Sequence, residues 1–383
     1  MNVLQTPVRF PPAVGGVESH VNAISRRLTN RGHDVTILCA DTGSGPIDRA
    51  VEGLTVRRLY SPISIANTNL TPGLPVAALQ AARNSDVIHT HLPTPWSADV
   101  SALAGAITQT PVVLTYHNDI VAENLTAPVA ALYNASALRV TLRIADRIVV
   151  TQEGYLEQSP HLDCNHDRTR IIANGVDTDH FTPRRPTREQ RRRLDFDTSG
   201  QTLFFLAVLD EYHDYKGLCV LFEAMCVLEE RNHNPPRLVV GGEGPLRERY
   251  EKAARELDIG DSVSFIGHVP EDDLPAAYSL ADAFVLPSTS SAQEGFGLVL
   301  LESLACETPV VTTDVVGIAD AVEEGSFGEV VPPEEPGALA EAIGRVLSGS
   351  YDGRSGRELC LDGYSWEASV DKLEALYRDI VAG

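Results

Sequence analysis

Short apolar runs alternate with longer amphipathic stretches along the whole chain. In the first half, the runs that predict strands are 35–40, 55–59, 87–90, 112–116 and 148–151. The stretches that predict helices are 16–31, 75–84, 98–108 and 127–145. This alternation is typical of βαβ units, in which parallel strands form a sheet and the helices cover its faces.

A second series of the same kind fills the other half. Its predicted strands are 203–209, 237–241, 263–267, 283–287 and 309–312, and its predicted helices are 218–231, 245–257, 272–281 and 297–306. The break between the series lies near 182–200, where Pro183-Arg-Arg-Pro186 leads into an Arg-rich segment. That segment is a candidate first helix of the second half.

The two series predict two domains, each a doubly wound parallel sheet of the Rossmann-like kind. We place an N-terminal domain at 1–182, a C-terminal domain at 183–365, and a helix at 366–383 that is a candidate to cross back to the first domain. A chain of 383 residues, of which 43% are apolar, is long and apolar enough for two cores. Ligands of such sheets bind beyond the carboxyl ends of the strands, so we expect the active site in the cleft between the domains.

Composition favours a soluble protein of the cytoplasm. The chain has no apolar run of about eighteen residues, and its first residues lack the charged-then-apolar pattern of a signal peptide. The six cysteines form no C-x-x-C pair, which is typical of small buried residues in a reducing compartment.

The net charge is strongly negative and unevenly distributed. The whole chain carries −22, residues 1–182 carry −3 and residues 183–383 carry −19, with three lysines beside 28 arginines. An acidic surface that is poor in lysine suits solubility in high salt, so we expect a halophilic source. The same charge argues against nucleic acid as a partner.

The near-neutral first half is the part that could approach a membrane. Arg139 and Arg143 lie four positions apart on one face of a predicted helix. The two arginines fit a helix face that is exposed to solvent. The functional alternative is that this face docks to anionic lipid at the inner face of the membrane.

The segment from Glu294 to Glu302 carries the clearest chemical signal. A Gly-Phe-Gly turn follows Glu294, and a helix that begins at Gly297 would direct its first N–H groups and positive dipole end at an anion. Glu302 lies about one and a half turns further on, within reach of a polar ligand. Two carboxylates around such a helix start suit a ligand with both phosphate and hydroxyl groups, as in a nucleotide sugar.

Two positions of the first half are candidates for ligand contact. Gly15-Gly16 precedes a helix with Glu18 in its first turn, which fits either a helix-capping turn or the close approach of a phosphate. His117 follows the strand 112–116 and therefore lies at its carboxyl end.

The neighbours of His117 are interpreted in different ways. Asn118 is a candidate polar contact, and Asp119 is the candidate proton acceptor if a side chain takes that role. His89 and His91, at the end of the preceding strand, are interpreted as structural residues.

Three segments of the second half could contact a nucleotide sugar. Lys216 stands before a glycine and a helix, where its ammonium could neutralise a leaving diphosphate. Gly242-Glu-Gly244 lacks the third glycine of a dinucleotide fingerprint, so we interpret it as a turn that lines a donor pocket. Backbone groups of Gly267 to Val269 could contact the nucleotide base, with a plain strand-to-loop turn as the alternative.

Two matches to the metal-binding pattern D-x-D, Asp177-Thr-Asp179 and Asp195-Phe-Asp197, lie near the predicted interdomain segment. That position does not suit a metal–nucleotide site within one domain. We therefore expect no metal and no resident cofactor.

These motifs resemble, in order and over nearly the whole chain, the retaining glycosyltransferases of family 4. The matching segments are Pro7 to Glu18, Thr115-Tyr-His-Asn-Asp119, Asn174-Gly-Val-Asp177, Tyr215-Lys-Gly217, Gly241-Gly-Glu-Gly-Pro245, Glu294 with Glu302, and Tyr364-Ser-Trp366. The resemblance implies the GT-B architecture, two facing Rossmann-like domains with the active site in the cleft between them.

The resemblance also implies roles for residues. Glu302 would bind the ribose hydroxyls, Glu294 the hydroxyls of the donor sugar, and His117 the transferred sugar or the acceptor. Gly15 and Gly16 would face the donor phosphate. The other residues implied in substrate binding are Asn174, Gly242, Gly267, His268, Val269, Gly295, Phe296, Gly297 and Leu298.

The chain departs from the family pattern beside Lys216. The family usually has an arginine five positions before this lysine, where this chain has Glu211. His213 then becomes the candidate second donor to the diphosphate. A second departure, Glu307 in place of a small residue, lies outside the chemistry.

The activity implied is transfer of a sugar, with retention and without metal, from a UDP- or GDP-sugar to a glycan, lipid-linked or small-molecule acceptor. Resemblance favours front-face substitution, in which the leaving phosphate helps to take the acceptor proton. Two alternatives remain open, a nucleotide-sugar epimerase on the same fold and a non-catalytic nucleotide-sugar-binding protein.

Overall fold

The computed structural model describes the chain except for residues 14, 44–47, 52, 66–67, 121–126, 155, 157–158, 163–166, 197–199, 232–234, 350, 352 and 383. Asp197 of the second D-x-D match lies outside the described residues. The chain forms two compact units, a first unit of Met1–Asn174 with Trp366–Gly383 and a second unit of Gly175–Ser365.

The division between the units falls after Asn174, whereas we predicted a boundary at 182/183. Residues 175–182 pack with the second unit, because the Val176 N–H donates to the Tyr364 carbonyl and Arg357 donates to the carbonyls of Thr178 and Phe181. Hydrogen bonds to residues far along the chain therefore decide the boundary, and the proline and arginine run at 183–186 does not mark it.

The first unit contains an eight-stranded sheet with the order β10-β9-β8-β7-β1-β2-β4-β3. Its pairings are parallel except for that between β3 and β4. The strands are β1 (Asn2–Thr6), β2 (Asp34–Ala40), β3 (Asp48–Val51), β4 (Leu54–Leu59), β7 (Val87–Leu92), β8 (Val112–Tyr116), β9 (Arg147–Val150) and β10 (Thr169–Ile171); β5 (Ile63–Ile65) and β6 (Thr68–Leu70) form a separate antiparallel hairpin.

The helices of the first unit are α1 (Gly16–Asn30), α2 (Leu74–Ala82), α3 (Pro95–Thr108), α4 (Ala127–Ala135), α5 (Ala137–Ile144) and the C-terminal helix Trp366–Ala382. α1 buries Val21, Ile24 and Leu28, whose spacing places them on one helical face. The C-terminal helix packs in this unit through ion pairs from Arg27 to Glu367 and from Arg31 to Asp371.

The predictions for the first unit differ from the structure in several details, and β3, β10 and the β5–β6 hairpin were not predicted. The predicted helix 127–145 is two helices separated at Ser136, whose hydroxyl donates to the carbonyl of Leu132 and so competes with the helical hydrogen bonds. β1 was missed because Gln5 and Thr6 are polar and interrupt its apolar run. The structure nevertheless buries both residues fully.

The second unit contains a six-stranded sheet that is parallel throughout, with the order β13-β12-β11-β14-β15-β16. Its strands are β11 (Thr202–Leu206), β12 (Arg237–Gly241), β13 (Val263–Gly267), β14 (Ala283–Leu286), β15 (Val310–Thr313) and β16 (Gly328–Val331). The strand order reverses direction between β11 and β14, and ligands of doubly wound sheets bind at the carboxyl ends of such a pair.

The helices of the second unit are α6 (Arg188–Arg193), α7 (Leu218–Arg231), α8 (Arg247–Glu256), α9 (Leu274–Leu280), α10 (Leu298–Ala305), α11 (Ala319–Gly325), α12 (Pro336–Leu347) and α13 (Gly353–Gly363); the C-terminal helix Trp366–Ala382 of the first unit is α14. α6 confirms the predicted helix in the Arg-rich segment. Among the described residues, no helix is both long and apolar enough to cross a bilayer. The structure confirms the prediction of two parallel-sheet α/β units.

Candidate active site

Lys216 and Glu294 meet on the loops that follow β11 and β14, the pair of strands where the order reverses. The Lys216 Nζ atom lies 2.7 Å from Glu294 Oε2, and the Ser288 hydroxyl donates to the same oxygen at 2.7 Å. Glu294 is 3% exposed. Burial disfavours the charge on Lys216, but Glu294 and Tyr215 outweigh it and raise the pKa of the ammonium, which therefore stays protonated.

Backbone contacts hold these two loops together. The Thr289 N–H donates to the Tyr215 carbonyl at 2.8 Å. Gly217 follows Lys216 with a φ of 77°, and a Cβ atom at this position would lie 2.0 Å from the Pro287 carbonyl oxygen. Only glycine permits both this left-handed backbone and this close approach, so it fixes the position of Lys216 beside Glu294.

The Gly295–Gly297 turn leads from Glu294 into α10. Gly297 is the N-cap residue, and the helix begins at Leu298. The first N–H groups of any α-helix have no partner within the helix, so they can donate to an anion beyond the turn. Phe296 is buried, with its ring centroid 6.0 Å from that of Tyr364. Its side chain therefore anchors the turn.

Glu302 lies on α10 and is held by Tyr278 of α9. The Tyr278 hydroxyl donates to Glu302 Oε2 at 2.7 Å, and Tyr278 is fully buried. Burial raises the pKa of Glu302 to about 7, although the Tyr278 hydrogen bond acts in the opposite direction. This carboxyl group therefore titrates near neutrality.

His213 is oriented by Asp210 on the loop after β11. The His213 ring Nδ1 lies 2.7 Å from Asp210 Oδ1, which also accepts the N–H groups of Tyr212 and His213. His213 is half-buried, whereas Glu211, at the position of the missing arginine, is exposed. Asp210 thus fixes the orientation of the His213 imidazole, three residues before Lys216 on the same loop.

The glycines of Gly242-Glu-Gly244 have a packing role. A Cβ atom on Gly242 would lie 1.8 Å from the Ala207 carbonyl oxygen, and one on Gly244 would lie 2.1 Å from that of Leu209. The turn after β12 is therefore pressed against the chain after β11. In the turn after β13, Gly267 and Val269 are buried and His268 is exposed.

Glu18 closes the Gly15-Gly16 turn in the first unit. Arg9 Nε donates to Glu18 Oε1 at 2.8 Å, and Glu18 is 4% exposed. A Cβ atom on Gly15 would lie 2.3 Å from Glu18 Oε2, whereas one on Gly16 would contact nothing within 4 Å. A side chain at Gly15 would therefore displace the Glu18 carboxylate, and Gly16 leaves open space beside the start of α1.

His117 lies at the carboxyl end of β8, as predicted, in a group of buried histidines. Its Nε2 atom is 3.3 Å from His91 Nδ1, and its ring centroid is 4.6 Å from that of His20. Burial lowers the pKa of His117 well below its usual value, with a further contribution from neighbouring histidines. Asn174 is also buried here, and its Oδ1 atom accepts a hydrogen bond from His20 Nδ1 at 2.7 Å.

Asp119 is held by two hydroxyl groups. Tyr116 donates to Asp119 Oδ1 at 2.5 Å and Ser159 donates to the same oxygen at 2.7 Å. In the D-x-D match nearby, Asp177 Oδ1 accepts the N–H groups of Asp179 and His180 and so forms a turn.

The structure thus groups the predicted residues within each unit and adds partners that sequence reasoning missed. Ser288 is the easiest of these to predict, because it lies two residues beyond the end of β14, at the reversal of strand order. Tyr278 gives no such signal, since it is a core aromatic residue of α9. Asp210 could have been suspected only from its spacing of three to His213, which suits a side chain that bonds the next turn.

Comparison with known proteins agrees with this geometry. A family profile described as Glycosyltransferase Family 4 matches residues 14–180, and one described as Glycosyl transferases group 1 matches residues 186–358. The D-inositol 3-phosphate glycosyltransferase of Acidothermus cellulolyticus is 30% identical over 412 positions, covering 98% of this chain and 89% of that protein.

Solved structures show the same fold. Sucrose-phosphate synthase from Thermosynechococcus elongatus superposes with a TM-score of 0.76 at 23% identity, over 100% of both chains. HepE from Anabaena, in complex with UDP, superposes with a TM-score of 0.77 at 18% identity, over 99% of this chain and 100% of that one. The chain therefore belongs to the family 4 glycosyltransferases with the group 1 domain, and it has the GT-B fold.

Proposed function

We propose that this glycosyltransferase moves a sugar from a nucleotide-diphosphate sugar to an acceptor hydroxyl, with retention at the anomeric carbon. The observation that carries the proposal is the contact of 2.7 Å between Lys216 and Glu294 at the reversal of strand order in the second unit. A half-buried cation beside a buried carboxylate, next to a helix start, offers separate partners for the phosphates and the hydroxyls of one donor.

Each group has a distinct task in this mechanism. Lys216 and the first N–H groups of α10 stabilise the negative charge that develops on the leaving diphosphate. Glu294 accepts hydrogen bonds from hydroxyls of the donor sugar, and Glu302 accepts them from the ribose. His213, oriented by Asp210, is the second donor to the diphosphate and takes the place of the missing arginine.

The bond changes take place on one face of the sugar. The bond from the anomeric carbon to the phosphate oxygen breaks, and the bond to the acceptor oxygen forms on the same face. The acceptor proton passes to the departing phosphate oxygen. The second unit offers Lys216 for the charge, so we propose that transfer does not depend on added metal. His117 contacts the transferred sugar or the acceptor.

The relatives suggest which substrates to try first. HepE has been solved with UDP-glucose, and curated relatives are named as D-inositol 3-phosphate glycosyltransferases. We therefore propose a UDP- or GDP-sugar as the donor and a small-molecule, glycan or lipid-linked hydroxyl as the acceptor. A panel should begin with UDP-glucose, GDP-glucose and D-inositol 3-phosphate.

The test compares Lys216→Ala with Lys252→Ala, which removes an exposed lysine paired with Glu256 at 3.4 Å. We expect kcat/KM of Lys216→Ala to fall about 10²- to 10³-fold, and that of Lys252→Ala to remain unchanged. Proton NMR of the product reports the anomeric configuration, and parallel assays with EDTA or Mg²⁺ test metal independence.

Other outcomes select the alternatives. Isomerisation of the donor without an acceptor would indicate an epimerase, and binding of the nucleotide sugar with neither transfer nor hydrolysis would indicate a non-catalytic protein. An inverted product, or full activity in Lys216→Ala, would contradict the mechanism.

We also propose peripheral contact with anionic lipid through the first unit. α4 has no buried residue, and it exposes Val129 and Leu132, while α5 exposes Arg139, Val140 and Arg143. Exposed apolar side chains beside arginines suit the headgroup region of an anionic bilayer.

A further inference from the structure

Three buried histidines converge in the first unit. Among the described residues, His20, His91 and His117 are the one group of three His, Cys, Asp or Glu side chains whose ligand atoms could hold a metal ion, and these atoms lie within 4.8 Å of one another. The three come from α1, β7 and the carboxyl end of β8, so the sheet and its first helix bring them together.

Hydrogen bonds fix which nitrogen of two rings carries the lone pair. His91 Nε2 lies 2.9 Å from Gln5 Oε1 and must donate to it, which leaves the lone pair on His91 Nδ1. His20 Nδ1 lies 2.7 Å from Asn174 Oδ1 and donates in the same way, which leaves the lone pair on His20 Nε2. A carbonyl oxygen on the outer nitrogen is the usual support of a metal-binding histidine.

The lone pair of His20 Nε2 has no hydrogen-bond partner. His20 is 4% exposed, and its Nε2 atom is buried without a protein donor. A network of neutral hydrogen bonds explains the contact between His91 and His117, since His117 Nε2–H can donate to His91 Nδ1. That network provides no hydrogen-bond donor for His20 Nε2. A buried acceptor without a donor is energetically unfavourable.

The imidazoles are neutral, as metal binding requires. Burial lowers the pKa of His20 to about 4, against the effect of its hydrogen bond to Asn174. Burial and the neighbouring histidines also lower the pKa values of His91 and His117 well below the usual value. A metal ion therefore has no proton to displace from His20 Nε2 or His91 Nδ1 at neutral pH.

The distances suit a small ion. Zn–N bonds of about 2.0–2.1 Å in tetrahedral geometry place two ligand nitrogens roughly 3.3 Å apart. His91 Nδ1 and His117 Nε2 already have this separation, at 3.3 Å. One ligand atom of each of the three residues lies within 4.8 Å of the others. A movement of roughly 1.5 Å or less would therefore bring the third imidazole to a separation that suits the ion.

We propose that His20 Nε2, His91 Nδ1 and His117 Nε2 bind one divalent transition-metal ion of the zinc class. The fourth position is left for water or a ligand. On binding, the proton of the neutral His117 ring moves from Nε2 to Nδ1, so that Nε2 offers its lone pair to the ion, while Gln5 and Asn174 orient the other two rings. The site lies wholly in the first unit and shares His117 with the proposed transferase. Its test needs no sugar donor, so failure of this proposal is distinguishable from failure of the proposed function.

The experiment uses untagged, full-length protein treated with a chelator and then dialysed. Zn²⁺ binding is followed by calorimetry, and Co²⁺ binding by the visible absorption of four-coordinate Co²⁺. We expect one ion per chain in the wild type and at least about 100-fold weaker binding in His20→Ala and His91→Ala. Gln5→Ala, which removes only an outer partner, should weaken binding about 10-fold.

His180→Ala is the matched control, because this imidazole lies in the second unit and contacts the Glu271 carbonyl. It should bind Zn²⁺ as the wild type does. Circular dichroism checks that each variant is folded, and binding by the exposed Cys219 would show itself as a thiolate-to-Co²⁺ charge-transfer band.

Two results would overturn the proposal. The first is a wild-type protein that binds neither Zn²⁺ nor Co²⁺ with a Kd below about 100 μM. The second is unchanged affinity in folded His20→Ala or His91→Ala protein. If both variants fail to fold, X-ray absorption of the Zn²⁺-loaded wild type decides, because the proposal requires three imidazole nitrogens and no sulfur in the first shell.

Discussion

Glu302, which we propose as the ribose ligand, shows how a residue suited to binding can lower stability. Its carboxyl group is half-buried and accepts a hydrogen bond from Tyr278, and desolvation raises its pKa to about 7. The ionised form accepts hydrogen bonds on both carboxylate oxygens, whereas the protonated form uses one oxygen as a donor. The folded chain without ligand therefore favours the proton, and a bound nucleotide favours its loss.

The sign of the pH effect follows from this shift. The pKa of Glu302 is higher in the folded chain than its usual value of 4.5, so its contribution to stability is complete below that value and is lost as pH rises through about 7. Glu302→Gln removes the ionisation. At pH 8 we expect the variant to unfold at a higher temperature than the wild type, by about 2–4 °C for each kcal/mol.

Thermal scans at pH 5 and pH 8, with and without UDP, measure this prediction. The advantage of Glu302→Gln should shrink at pH 5, and UDP should stabilise the variant less than the wild type at pH 8. Glu256→Gln, an exposed carboxylate on α8, is the control. Equal unfolding temperatures of Glu302→Gln and wild type at pH 8 would contradict the assignment.

At the scale of elements, α4 and α5 show what an apolar pattern alone cannot decide. The pattern of 127–145 predicts a single helix, but the structure has two helices, and α4 buries none of its residues. α5 buries Leu138 and Leu142 and turns Arg139 and Arg143 outward. This outward surface is the part we propose to contact lipid.

The lipid prediction tests the arginines of α5. Arg139→Glu/Arg143→Glu should weaken sedimentation with vesicles of phosphatidylglycerol and phosphatidylcholine at least tenfold, since each arginine near an anionic surface contributes about 1 kcal/mol. Arg83→Glu, an exposed arginine beyond α2 of the same unit, is the matched control. Wild-type protein should not sediment with pure phosphatidylcholine, and binding that ignores both lipid charge and the double variant would exclude this surface.

At the scale of the whole molecule, charge separates the two units. Residues of the first unit carry a net −3 and those of the second carry −19. Repulsion among like charges destabilises the compact second unit at low ionic strength, and salt screens it.

The salt prediction follows from this excess. The unfolding temperature should rise steadily from 0.05 to about 1 M KCl and then level off, because the Debye length is already about 3 Å at 1 M. Calorimetric scans over this range measure it. A flat or falling curve below 1 M would show that the acidic surface is not destabilising, and would remove the support for a halophilic source.

Much of this protein could be predicted from local sequence. The alternation of apolar runs determines most strands and helices, because burial in a parallel sheet needs continuous apolar residues. The order of motifs also determines the family, and it brings Lys216, Glu294 and Glu302 to one unit. These features depend on neighbours along the chain.

Only the tertiary structure decided which side chains contact each other and where the two units divide. β1 was missed because Gln5 and Thr6 are polar yet buried, and the boundary moved to Asn174 because residues 175–182 bond to the end of the second unit. Tyr278 behind Glu302, and His20 and His91 beside His117, lie far apart in sequence. Their pKa values and unpaired nitrogen arise from burial and contact, which a linear sequence does not contain.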